Sequence, residues 1–146
     1  MFNIDRFQSG AAIWQGGLPT SKLDKSVTAI VSLDVNWPME CQALVDGEPA
    51  VHVLLLIPDA EFPGMKWLRA AVGIVETLWQ ADHVIYIHCR EGVSRSVMLT
   101  AAWLMKHHRW NLDTAMNVIA AENPRLNPNP SFMLGLKTWQ AEVLGC

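Results

Sequence analysis

The sequence predicts an α/β fold with a central, mostly parallel sheet of four to five strands flanked by helices. Three observations point there. Short β-branched runs crowd the first part of the 146-residue chain and long periodic apolar segments fill the second. One helix-like segment separates the third strand candidate from the fourth, which is the connection that parallel neighbours require. With 51% apolar and 17% charged residues, the chain can bury a sizeable core and does not read as disordered.

Strand candidates in order are Ala12-Ile13-Trp14, residues 28–33 (Thr-Ala-Ile-Val-Ser-Leu), residues 51–56 (Val-His-Val-Leu-Leu-Leu) and the run 84–87 that ends at His88. Gly16-Gly17, Pro38 and Gly47-Glu48-Pro49 punctuate the gaps. From Met65 to about Gln80, Leu68, Ala71, Val72, Val75, Leu78 and Trp79 recur at three- and four-residue spacing, which predicts a helix. Residues 97–105 are apolar on almost every side and predict a buried helix. Asn111-Leu112-Asp113 opens a further helix, which Asn123-Pro124 stops. A last one follows Asn127-Pro128-Asn129-Pro130 through Phe132, Leu134, Leu136, Trp139 and Val143. The seven tryptophans are spread along these elements and read as core packing. No repeat or composition shift divides the chain, so one domain over residues 1–146 is expected.

A net charge of −3 with no basic block argues against nucleic acid or an anionic membrane as the main partner. The apolar runs are too short to span a bilayer, and residues 1–6 show no basic stretch followed by an apolar one, so no secretion signal is expected. Cysteines at 41, 89 and 146 are odd in number and lack framework spacing, which predicts a reducing, cytoplasmic setting.

Residues 88–96 read His-Cys-Arg-Glu-Gly-Val-Ser-Arg-Ser, and here the chemistry concentrates. Cys89 sits where a strand ends; Ser94, Arg95 and Ser96 sit where a helix begins. The five residues between Cys89 and Arg95 can curl so that their N–H groups form a nest for a dianion. The helix adds the positive end of its dipole at the same point. Gly92, midway, permits a backbone conformation or close approach that a β-carbon would obstruct. Arg95 can grip two oxygens of a phosphate. Groups that hold a phosphate also stabilise a thiolate, so Cys89 reads as a nucleophile rather than a small buried hydrophobe. Ser96 can donate to the sulfur. His88 fits an orienting role better than a proton-transfer role.

A phosphoryl leaving group needs a proton, and Asp59 is the leading donor. It follows the third strand candidate, hence the same sheet edge as Cys89 if those strands are parallel. Glu61 is the first substitute and Asp34 the second, although a turn role suits Asp34 better.

The signature His88-Cys89-Arg90-Glu91-Gly92-Val93-Ser94-Arg95-Ser96 resembles that of cysteine-dependent protein phosphatases in its dual-specificity form. The stretch Ile13-Trp14-Gln15-Gly16-Gly17-Leu18-Pro19 is similar to that family's opening strand. Asp59 falls where its acid loop usually lies, and Pro128-Asn129 with Phe132 is similar to its late Pro-Asn-x2-Phe segment. Ser131 stands where many members have glycine, and residues 125–129 are shorter than usual. The resemblance implies a phosphatase-like domain and attack of Cys89 on phosphorus. Arg90, Glu91, Gly92, Val93, Ser94 and Arg95 would cradle the phosphate, Asp59 would serve as acid then base, and Asn129 would buttress the phosphate loop. It implies no metal and no cofactor.

The expected partner is a phosphorylated protein or peptide, met by a monomer. A nearly neutral Arg90-Glu91 pair and the lack of long insertions suit phosphotyrosine, with phosphoserine and phosphothreonine also admitted. A phospholipid or small phosphomonoester is the alternative substrate. A non-catalytic phosphate-binding module and a thiol redox enzyme are the rival classes. The second needs a resolving cysteine, for which Cys41 and Cys146 are distant in sequence. His107-His108, beside Lys106 and Arg109, reads as cations at a helix C-terminus rather than metal ligands.

Overall fold

The computed structural model describes residues 1–6, 10–18, 26–34 and 51–145. Trp37, Cys41, Cys146 and the turn signals at 38 and 47–49 lie outside the described residues. Five strands form one sheet: β1 (Phe2–Arg6), β2 (Ala12–Gly16), β3 (Ala29–Ser32), β4 (Val51–Leu54) and β5 (Val84–His88). Their order is β1-β2-β5-β3-β4, parallel throughout except for β1, which runs antiparallel to β2 along one edge. The sequence reading placed no strand at residues 2–6. Its short, polar, edge character (Asn3, Asp5, Arg6) hides the alternation that marks a half-buried strand, and a bulge between Asn3 and Asp5 breaks the period further.

Four helices follow: α1 (Met65–Gln80), α2 (Arg95–His108), α3 (Leu112–Glu122) and α4 (Pro130–Leu144). Helix α1 carries the chain from β4 to β5, as the apolar spacing predicts. The Asn111 side chain accepts the Thr114 N–H at 2.8 Å and opens α3; Asn123 closes it. Eleven consecutive residues of α2, Arg95 to Met105, are buried, which explains a segment without a polar face.

The period-2 geometry of β5 divides its side chains between two layers. Ile85, Ile87 and Cys89 join the main core with Ile13, Val31 and the inward faces of all four helices. Tyr86 faces the other way, in a smaller cluster with Val27, Ile30, Trp14 and Val84. Trp79, Trp103 and Trp139 are core residues, as expected. His107 pairs with Glu76 at 3.0 Å and His108 with Asp5 at 2.6 Å, tying the end of α2 to α1 and β1. Because β5, β3 and β4 are parallel, the segments leaving them emerge at one sheet edge.

Candidate active site

Cys89 leaves β5 2% exposed, at the base of a cavity of about 150 Å³ lined by Asp59, Cys89, Arg90, Glu91, Val93, Ser94 and Arg95. Gly92 does not line it. Its φ is +74°, and an added Cβ would fall 2.5 Å from the Gly17 nitrogen and 2.6 Å from the Gly16 carbonyl carbon. Both reasons for a glycine named from the sequence therefore operate at once: a left-handed backbone and close approach to the end of β2.

Two buried side chains that sequence reasoning missed hold the loop in this shape. Gln15 Nε2 donates to the Gly92 carbonyl and to Ser96 Oγ, each at 2.8 Å. Asn123 Nδ2 donates to the Gly92 carbonyl at 2.9 Å and to Gln15 Oε1 at 3.1 Å. With the carbonyl of Gly92 engaged on the far side, the loop stays curled. A polar residue inside the apolar β2 run was the available signal for Gln15. Asn123 was disguised as a helix stop.

Ser94 is the N-cap of α2 but makes no side-chain capping bond to the first N–H groups of the helix. The Ser94 hydroxyl instead donates to Asp59 Oδ1 at 2.7 Å and accepts the Asn129 backbone N–H at 3.0 Å.

Arg95 is 8% exposed, and its Nη1 donates to the Ile57 carbonyl at 2.9 Å. Its Nε is buried and has no hydrogen-bond partner among the described residues. Asp34, 1% exposed, lies 3.9 Å from Arg95 Nη1 and pairs with Arg90 Nη2 at 3.2 Å. Asp34 therefore serves as counter-charge to both loop arginines rather than as the turn or substitute acid the sequence suggested. Among the described residues, Asp59 and Glu91 are the carboxylates that line the cavity, and Asp59 is the one that comes from outside the loop between Cys89 and Arg95; Glu61 is exposed and does not line it.

Ser96 Oγ lies 3.1 Å from Cys89 Sγ and 3.1 Å from the Gly16 carbonyl. Gln15 already donates to that oxygen, so the hydroxyl proton has two acceptors and can turn to the sulfur when it carries charge. Burial pushes His88 down to about 4, so its ring is neutral at neutral pH. His88 Nδ1 lies 3.1 Å from the Cys89 carbonyl and Nε2 2.6 Å from Ser32 Oγ. A proton on Nδ1 lets the ring donate to that carbonyl while accepting from Ser32.

Asn129 was expected to support the phosphate loop. Its backbone N–H meets the Ser94 hydroxyl, and its side chain holds the segment bearing Asp59. Nδ2 donates to Asp59 Oδ1 and to the Ala60 carbonyl, each at 2.9 Å, while Oδ1 caps α4 by accepting the Phe132 N–H. Arg125, the first residue of the shortened late segment, is exposed.

Comparison with known proteins agrees with this arrangement. Residues 13–142 match the family described as "Dual specificity phosphatase, catalytic domain". The chain belongs to the dual-specificity phosphatase family. It is 31% identical over 118 residues to human dual specificity protein phosphatase 1, covering 81% of this chain and 31% of that protein. Against human dual specificity protein phosphatase 2 the identity is 31% over 119 residues, covering 81% and 36%. The chain thus spans about a third of the length of the curated relatives it matches. Among solved structures, human DUSP28 superposes with a TM-score of 0.82 at 17% identity, covering 99% of both chains. PTPMT1 in complex with PI(5)P does so with a TM-score of 0.75 at 22% identity, covering 97% of this chain and 96% of that one. These two likenesses are of fold. No helix among the described residues is long and apolar enough to cross a membrane.

Proposed function

We propose that this dual-specificity phosphatase domain hydrolyses phosphoric monoesters of proteins through a cysteinyl-phosphate. The observation that carries the reading is the convergence, around one cavity, of Cys89, a buried Arg95 whose Nε–H has no acceptor among the described residues, and Asp59. In the first step the Cys89 thiolate attacks phosphorus. The P–O bond to the leaving group breaks and Asp59 protonates the departing oxygen. Loop amides and Arg95 balance charge on the three equatorial oxygens. In the second step Asp59, now a carboxylate, takes a proton from water as water attacks phosphorus. The S–P bond breaks, and the Ser96 hydroxyl donates to the leaving sulfur.

Phosphotyrosine is the preferred substrate because an aryl oxide leaves more readily, with phosphoserine and phosphothreonine accepted in the same cavity. A polyphosphoinositide is disfavoured here, since Arg90 at the mouth is already paired with Asp34. PTPMT1, whose structure contains PI(5)P, is the reason to include that lipid in the test.

The test is turnover of p-nitrophenyl phosphate in chelator by wild type, Cys89→Ser, Asp59→Ala and Glu61→Ala. Vanadate-sensitive hydrolysis is expected. It should vanish in Cys89→Ser while phosphate binding persists, and in Asp59→Ala kcat and the alkaline limb should fall. Loss of that limb in Glu61→Ala alone would reassign the acid. Phosphotyrosine and phosphothreonine peptides and PI(5)P vesicles then rank the substrates, and faster turnover of the vesicles would overturn the protein-substrate reading.

A further inference from the structure

The segment bearing Asp59 is fastened to α4 at three points. Asn129 grips Asp59 and the Ala60 carbonyl, as described above. Two residues on, Ser131 Oγ accepts the Phe62 backbone N–H at 2.7 Å. One turn further, the Phe62 ring lies directly on Gly135, where an added Cβ would come within 2.5 Å of ring carbons. Phe62 also packs against the main core, so the ring anchors the loop in the scaffold as well as in the helix.

The Ser131 hydroxyl therefore adds a hydrogen bond between the segment bearing Asp59 and a helix seated in the core, one that a residue without a side-chain acceptor could not make. We infer that Ser131 is a positioning residue for the general acid: its hydroxyl, with Phe62 seated on Gly135, fixes residues 59–62 over Cys89 and suits the chain to phosphoesters with poor, alkyl-type leaving groups. This inference rests on Asp59 being the acid.

The chemistry follows from how leaving groups depart. A nitrophenolate is stable enough to leave with little protonation, so a loosely held acid costs such a substrate little. A serine or threonine alkoxide must receive its proton as the P–O bond breaks, so every misplacement of Asp59 slows it. All three attachments are to the scaffold rather than to substrate, so the fraction of molecules with the acid in place does not depend on substrate contacts.

The experiment compares kcat/KM of wild type, Ser131→Ala, Ser131→Gly and Ser131→Thr on p-nitrophenyl phosphate, phenyl phosphate and a phosphothreonine peptide. Asp59→Asn runs in parallel, and melting temperature and vanadate inhibition are measured for each. Losing one loop hydrogen bond should lower turnover of the phosphothreonine peptide about fivefold in the alanine and glycine variants. Phenyl phosphate should fall less, and p-nitrophenyl phosphate should stay within about twofold of wild type, with vanadate inhibition unchanged. Threonine, which keeps the hydroxyl, should restore the ratio between substrates. Equal losses on all three substrates, or an unchanged ratio, would overturn the inference. So would failure of wild type to hydrolyse the phosphothreonine peptide while it turns over the aryl esters. If Asp59→Asn also leaves the ratio unchanged, the acid assignment falls with it; if only the Ser131 variants do, Asp59 stands and Ser131 does not position it.

Discussion

Asn123 offers the sharpest test of how the phosphate loop is held. Its side chain is 2% exposed and donates from Nδ2 to the Gly92 carbonyl and Gln15 Oε1. In Asn123→Ala the Gly92 carbonyl keeps its bond from Gln15 Nε2, but Gln15 Oε1 loses its donor. One buried acceptor left unmet costs about 1–3 kcal/mol, and the small void adds to it. A loss of about 2 kcal/mol is therefore expected, or a melting shift of roughly 4–8 °C for a domain of this size. Asn123→Asp discriminates the cause. It keeps the shape but turns a carboxylate oxygen toward two acceptors, so it should destabilise more than alanine. Urea unfolding of the two variants measures this, with vanadate affinity reporting the loop itself. Alanine within about 0.5 kcal/mol of wild type, or aspartate no worse than alanine, would refute the network.

Four further outcomes follow from the same geometry. Removing the buried Asp34 charge with Asp34→Asn should destabilise by about 1–2 kcal/mol, since the Arg90 end of one pair is half exposed and screened by water, and inorganic phosphate should restore more stability than it adds to wild type, because a dianion supplies the missing counter-charge; equal phosphate responses in thermal melts would contradict this. His88, lowered from 6.5 to about 4 by burial, binds its proton less readily folded than unfolded. Stability should therefore be complete above pH 6.5 and fall as pH drops toward 4, by about 3 kcal/mol from this residue. Urea titrations at both ends, compared with His88→Asn, isolate the slope; parallel curves would remove His88 as its source. Gly92→Ala must place a Cβ against the backbone of Gly16 and Gly17 at positive φ, and should lose vanadate binding. Gly73→Ala, helical and with nothing within 4 Å of the added Cβ, should stabilise by about 0.5–1 kcal/mol instead, as paired melts would show.

What could be read from the chain was whatever is local. The apolar period of 65–80 gave α1 with its observed bounds, and the run around Cys89 gave the loop between β5 and α2, because each rests on neighbours in sequence. Parallel pairing of β4, β3 and β5, inferred from the helix between them, was enough to bring Asp59 to Cys89. Residues whose meaning depends on a distant partner were misread or passed over. Gln15 and Asn123 meet across 108 positions, Asp34 finds its arginines across the sheet edge, and Ser131 meets Phe62 across 69. None has a sequence pattern of its own, since a single buried amide or hydroxyl gains its role only when burial removes water as the alternative partner. The same reasoning explains the arrangement of the site. The reacting sulfur and its arginine share one loop, so their geometry is set locally. Asp59, the proposed acid, comes from another segment and has no such guarantee, so the chain fixes it with side chains at the N-termini of two helices, Ser94 of α2 and Asn129 of α4. A phosphatase domain built this way separates two tolerances: changes in α4 should alter which esters are cleaved well, whereas changes under Gly92 should alter whether phosphate is held at all.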